Sequence, residues 1–207
     1  MEERIKTTAG ESKTLKVLFA SKNKGKIREV KKILEDSGFE ILSLADFENT
    51  PDIIEDQETF IDNSKKKARE IYDIFHIPVI ADDSGLAVNQ LNGAPGVYSA
   101  RYAGENASDL DNNRKLISEL KRFPSPHKAR FISVAVYYDG NKYISATGEL
   151  NGEIILEPRG NNGFGYDPLF IPDGYSNTLA ELTLDEKNRI SHRAKAFNKL
   201  KSKLKRG

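Results

Sequence analysis

Two rhythms of apolar residues alternate along the chain. Leu15–Ser21 (LKVLFAS) and Phe39–Leu44 (FEILSL) are short apolar runs with β-branched and aromatic members, the pattern of buried strands. Between them Ile27, Val30, Ile33 and Leu34 recur at helical spacing from a start near Lys24, and Gly38 is placed to stop the helix. A second helix is predicted over Thr59–Phe75, with Phe60, Ala68, Ile71 and Phe75 as its apolar points, and a third over Asp109–Leu120. The run IPVIADDSGLAV carries a strand that ends at its two aspartates. Ala129–Leu150 reads as two long antiparallel strands joined at Asp139-Gly140-Asn141. The Gly-rich stretch PRGNNGFGYDPLF leads into a short strand, and a last helix from about Ser191 sets Ala194, Phe197, Leu200 and Leu204 on one side. Strand–helix–strand at the start and a long hairpin later predict an α/β fold: a mixed sheet with flanking helices, in two lobes, from one domain over 15–207.

Composition narrows the class. At 207 residues, with 38% hydrophobic and 30% charged residues, the chain can bury a sizeable core and does not match a disordered one. The formal net charge of +1 advertises neither nucleic acid nor an anionic membrane as partner. The absence of cysteine removes disulfides, thiolate ligands and a Cys nucleophile, and is compatible with a reducing cytoplasm. No apolar run has the length of a membrane span, and Met1–Thr14 lacks the apolar stretch of a signal peptide, so it reads as a polar, mobile extension.

Candidate chemistry concentrates at a few turns. Ser21-Lys22-Asn23-Lys24-Gly25-Lys26 lies where the first strand gives way to the first helix. A helix N-terminus presents unpaired N–H groups, and this one adds hydroxyl, amide and ammonium donors suited to a polyphosphate. It is not a P-loop, and on its own it also reads as a solvated lysine turn. Glu55 is either a helix-start acid or a hard oxygen ligand for Mg2+. Lys65, Lys66 and Lys67 read as a solvated face unless Lys67 turns inward. Asp82 and Asp83 are adjacent carboxylates, and in a strand they point to opposite faces, so one can serve a metal or a water while the other braces the structure. Which does which stays open. Phe164, between two glycines, is equally a core residue or a stacking platform for a base. Ser191 is a good N-cap that places His192 and Arg193 in the first turn of the last helix, and Arg193 has a fork of donors able to read a carbonyl. His192 alone is more often structural than catalytic, and the basic run Lys195–Arg206 reads as a solvated face.

Taken together and in order, SKNKGK, E…TFIDNSKKKA, ADDSGLAV, GAPGVYSARYAG, PRGNNGFGYDPLF, TLAEL and SHRAKAF resemble the inosine triphosphate pyrophosphatase family, the non-canonical purine NTP pyrophosphatases or XTP/dITP diphosphatases. The likeness runs from about Val17 to the end. It implies hydrolysis of ITP, dITP and XTP to the monophosphate and pyrophosphate with Mg2+, by a cytoplasmic homodimer with an elongated sheet and a cleft between two lobes. On matching positions it implies that Ser21, Lys22, Asn23, Lys24, Gly25 and Lys26 hold the triphosphate, assisted by Lys67. Glu55 and Asp83 would take Mg2+, Asp83 would activate water and Ser84 would touch substrate. Phe164, Gly165, Tyr166 and Asp167 would hold base and sugar, and Lys187, His192 and Arg193 would contact the base. Where bacterial relatives commonly open Thr-Gly-Asn, this chain has Ser21-Lys22-Asn23. Two other classes are expected alternatives: a pyrophosphatase of other modified nucleotides, and a non-catalytic RNA binder gripping through its lysine-rich last helix.

Overall fold

The computed structural model describes residues 15–47, 50, 51 and 53–205. The extension expected over 1–14 lies outside the described residues. Six strands form one sheet: β1 (Leu15–Phe19), β2 (Phe39–Ser43), β3 (Val79–Val88), β4 (His127–Tyr138), β5 (Tyr143–Ile154) and β6 (Phe170–Pro172). Their spatial order is β2-β1-β3-β4-β5-β6. β1 runs parallel to both β2 and β3, whereas the β3–β4, β4–β5 and β5–β6 pairs are antiparallel. The helices are α1 (Lys24–Ile33), α2 (Phe60–Phe75), α3 (Asp109–Leu120), α4 (Leu184–Ile190) and α5 (His192–Leu204). The mixed α/β sheet with flanking helices is the fold class the sequence pattern predicts.

Local chemistry sets the helix limits. Asn23, Thr59, Ser108, Thr183 and Ser191 each accept a backbone N–H from the first turn they cap. α2 stops where His76 adopts a left-handed conformation. The short α4 is absent from the periodicity, but Thr183 and Glu186 form a reciprocal capping box, a signal the sequence does carry.

The core divides along the long β3–β4–β5 spine. At one end Val17, Phe19, Val30, Phe197 and Leu200 join β1, α1 and α5, while Ala68 and Ile71 bring α2 onto Leu18, Val79 and Val136. At the other end Leu86, Phe131, Leu150 and Ile154 pack on Leu116 and Leu120 of α3 and on Phe170. Phe19 and Phe197 meet edge-on at 5.9 Å; each fully buried ring stabilises the fold by about 2 kcal/mol.

One expectation fails at the centre of the spine. β3 does not end at its aspartates: Asp82, Asp83, Ser84 and Gly85 pair in register with Ala135, Val134, Ser133 and Ile132 of β4. It is β1 that ends there. β1 pairs with β3 only at Leu18–Val79 and Phe19–Ile80, so among the described strands the next stretch of that β3 edge has no neighbour. The opening beside it is where α1 begins. The lysine face of α5 is also more than solvated. Lys195, Lys199 and Lys203 donate to the carbonyls of Glu149, Thr147 and Ser145 at 2.9, 2.9 and 2.7 Å. Among the described strands, β5 pairs on its outer side only through Gly152–Ile154, so these ammoniums cover the rest of that edge.

Candidate active site

A cavity of about 330 Å³ opens where β1 stops and β3 runs on. From one side α1 presents its start. Asn23 Oδ1 accepts the Lys26 amide at 3.0 Å, and the Asn23 amide is held by Ser21 Oγ at 3.2 Å. The amides of Lys24 and Gly25 belong to the first turn and have no carbonyl one turn back. Ser21, Lys22, Asn23 and Lys26 line the cavity. Lys22 Nζ also donates to the Thr50 carbonyl at 2.9 Å, tying this turn to the loop before α2. Lys24 is exposed and does not line the cavity, and Gly25 serves a different purpose. A Cβ at Gly25 would sit 2.3 Å from Phe164 Cδ1, so only glycine lets this helix turn lie against that ring.

β3 sends its two aspartates to different neighbours, as the period-two geometry of a strand requires. Asp82 meets Lys26 Nζ at 3.1 Å and Arg193 Nε at 3.3 Å. Burial works against its charge, but Lys26, Arg193 and Lys67 outweigh burial and hold the carboxyl well below the usual aspartate range. Asp83 Oδ2 accepts from Asn63 Nδ2 at 3.0 Å, and Oδ1 from the Ser84 amide at 2.9 Å. Here burial prevails. It lifts the Asp83 carboxyl, the nearby Glu55 carboxylate lifts it further, and Lys67 and Lys26 offset only part of the rise. Lys67 is buried, not part of a solvated face; its ammonium donates to Glu55 Oε1 and, at 2.6 Å, to the Asp82 carbonyl. Burial would raise the Glu55 carboxyl too, but Lys67 and Lys26 hold it low.

The far wall is a buried ion network that sequence reasoning found only in part. Arg193 donates to Glu29, to Asp82 and, at 2.7 Å, to Ser84 Oγ. Lys187 bridges Glu29 Oε1, at 2.7 Å, and Asp167. Burial would lift Glu29, but Arg193 and Lys187 overcome it and keep the carboxylate ionised, whereas at Asp167 burial prevails and the pKa rises. Glu29 was not a predicted site residue. Its signal was an acid alone among lysines and an arginine in KGKIREVKKI, next to the apolar Val30. Phe164 lies over this network, with Lys187 Nζ 4.8 Å and the Arg193 guanidinium carbon 5.5 Å from its ring centroid. His192 stacks on Phe131 at 4.7 Å, and burial, with Arg193 and Lys187 nearby, holds its pKa well below the ordinary histidine value. Tyr166 is buried, its hydroxyl donating to the Ser99 carbonyl at 2.9 Å.

Every expected site residue except Lys24 and Gly25 therefore lines one cavity. One end offers amides and ammoniums to a polyanion. The middle offers a carboxyl with a raised pKa. The other end offers an aromatic face above two buried cations.

A sequence model of the Ham1 family matches residues 17–203. The chain is 47% identical over 191 residues to a dITP/XTP pyrophosphatase of Geobacter sulfurreducens, covering 91% of this chain and 96% of that protein. It is 48% identical over 189 residues to a dITP/XTP pyrophosphatase of Bacillus subtilis, covering 90% and 95%. The structure of a HAM1 protein from Coxiella burnetii superimposes with a TM-score of 0.84 at 38% identity, covering 93% of this chain and all of that one. The Staphylococcus aureus Ham1 protein gives 0.80 at 38% identity, covering 92% and 98%.

Proposed function

The chain belongs to the Ham1 family, and from that premise we propose that it hydrolyses the non-canonical purine nucleotides ITP, dITP and XTP to the monophosphate and pyrophosphate. The observation that carries the reading is the raised Asp83 carboxyl in the same cavity as the α1 N-terminus and Phe164. A group that takes a proton, a cradle for polyphosphate and a platform for a base then act on one molecule.

The reaction is in-line attack of water on the α-phosphorus. Asp83 takes the proton from that water as a free carboxylate, a state distinct from its service as a metal ligand, and its raised pKa in that state suits a general base. Asn63 and the Ser84 amide fix the carboxylate in place while it does so. The α1 amides, Lys26 and Lys67 neutralise the pyrophosphate as it leaves, since positioning and charge stabilisation dominate phosphoryl transfer. Arg193 has donors only, and Glu29 and Asp82 hold them at the base end. A purine with a six-carbonyl satisfies such a group, and adenine with its amino group does not.

Mg2+ belongs to the same proposal. Glu55 and Asp83 are hard oxygen donors that repel each other across the cavity, and one or two carboxylates plus substrate phosphates are the usual Mg2+ environment. When bound there, the ion supplies Lewis-acid polarisation of the phosphate and acidifies water. Lys67, already against Glu55, holds part of that positive charge in the protein itself. The homodimer and the cytoplasmic setting that the resemblance implies are likewise proposed. Among the described residues no helix is long and apolar enough to cross a membrane.

The test is release of pyrophosphate and orthophosphate from ITP, dITP, XTP, GTP, ATP and dTTP, with and without Mg2+. Metal-dependent pyrophosphate from the first three alone is the expected result. Orthophosphate release, or indifference to the base, would overturn it. The RNA-binding alternative is disfavoured by the α5 lysines, three of which are engaged with the carbonyls of β5.

A further inference from the structure

We propose that Asp109 and Asn113, one turn apart on α3, are positioning residues that set the place of the Phe164 ring through the Gly165 peptide. The inference rests on the reading of Phe164 as the base platform. The Gly165 amide donates to Asp109 Oδ2 at 2.7 Å, and the Gly165 carbonyl accepts from Asn113 Nδ2 at 3.0 Å. One residue is thus gripped at both its polar atoms by a single helix. Gly165 has a φ of +61°, one of the several conformations open to glycine, and the two contacts select it from among them.

The ring itself is fixed from the opposite direction. The Phe164 amide donates to Asp167 Oδ2 at 2.9 Å, and Asp167 is bound to Lys187. The ring lies against Gly25 of α1 and above Lys187 and Arg193. Phe164 therefore lies at a seam. Its ring touches the α1–α4–α5 side of the cavity, while the backbone that aims it is held by α3, whose Leu116 and Leu120 belong to the core cluster at the other end of the sheet. A base inserting at this end must share space with the ring, so the ring's resting position sets how well it stacks. Asp109 and Asn112 of α3 also line the cavity, so the clamp is separated from the phosphate end by its hold on Gly165, which a probe lacking the base does not read.

The experiment compares wild type with Asp109→Ala, Asp109→Asn and Asn113→Ala as full chains. It measures kcat and KM for ITP, and inhibition by inorganic tripolyphosphate, a probe with the charge but without the base. With base stacking at its usual strength, Asp109→Ala and Asn113→Ala should raise the KM for ITP by about tenfold and leave kcat and tripolyphosphate inhibition within about twofold. Asp109→Asn keeps an acceptor for the Gly165 amide and should restore most of the loss. Asp109 is exposed, so its variants test the idea even if Asn113→Ala fails to fold. An unchanged KM for ITP in Asp109→Ala, or tripolyphosphate inhibition weakened in step with KM, would overturn the clamp. A wild type that releases no pyrophosphate from ITP would instead overturn the proposed function.

Discussion

Asp82 and Asp83 are consecutive and buried, yet the two faces of β3 treat them oppositely. On the Asp82 face, Lys26 and Arg193 surround the carboxylate, and the charge is locked in. On the Asp83 face there are an amide, a backbone N–H and a lysine already engaged with Glu55, and the charge is held at a disadvantage. A buried carboxylate flanked by cations keeps its charge and braces a fold; one held mainly by neutral donors keeps its affinity for a proton or a cation. One residue of displacement along a strand is enough to separate the two.

Substitution sharpens that contrast. Asp83→Asn keeps the size but, having one acceptor oxygen, only one of the two contacts, and it removes the proton acceptor, so turnover on ITP should fall by about 10²–10⁴-fold, with KM little altered. Its urea unfolding midpoint should shift little, because a disfavoured charge and one hydrogen bond go together. Asp82→Asn should lower stability much more. It leaves Arg193 and Lys26 short of a buried counter-charge, a loss of about 3–5 kcal/mol, read by equilibrium unfolding. If both variants unfold alike, the division of labour is wrong.

A smaller effect concerns the base. Arg193→Ala should lower the ITP-to-ATP ratio of kcat/KM by roughly 10–100-fold, measured in variants that remain folded, if Arg193 rejects adenine as proposed, by being left with a donor and no matching carbonyl. An unchanged ratio would move selectivity elsewhere.

The smallest effect is a pH dependence. His192 is held neutral in the fold, its pKa below the unfolded value of about 6.5. Above that pH neither state takes the proton and stability is at its full level. Below it the unfolded chain binds a proton that the fold refuses, so stability drops as pH falls, until the folded pKa is reached. Unfolding midpoints at pH 7.5 and 5.5 should therefore diverge more in wild type than in His192→Gln, by roughly 1 kcal/mol per pH unit. Equal slopes would mean that His192 is readily protonated in place.

Helix and strand were largely legible because their signals are local. The stripe of α1, the hairpin at Asp139–Asn141 and the cap at Ser191 need only near neighbours. The course of β3 was not legible, since ADDSG is polar and carries a glycine and so reads as a turn. It remains a strand because Lys26, Lys67 and Arg193 arrive from three helices far apart in the sequence. Lys67 was hidden for the same reason: three lysines in a row look solvated until one of them finds buried acids. The family resemblance brought those distant partners together without Glu29, whose only local signal is an acid among basic residues, and without the roles of Asn63 and Asn113, which emerge from distances.

The three α5 ammoniums along β5 bear on how this chain behaves when concentrated. A strand edge with open carbonyls is a template on which another chain can add a strand and start a fibril. Lys195, Lys199 and Lys203 occupy those carbonyls and place a row of positive charge before any approaching backbone. The same helix that supplies Arg193 thus also guards that edge. Reagents that acylate lysine would expose the edge, turning a routine labelling step into a cause of precipitation.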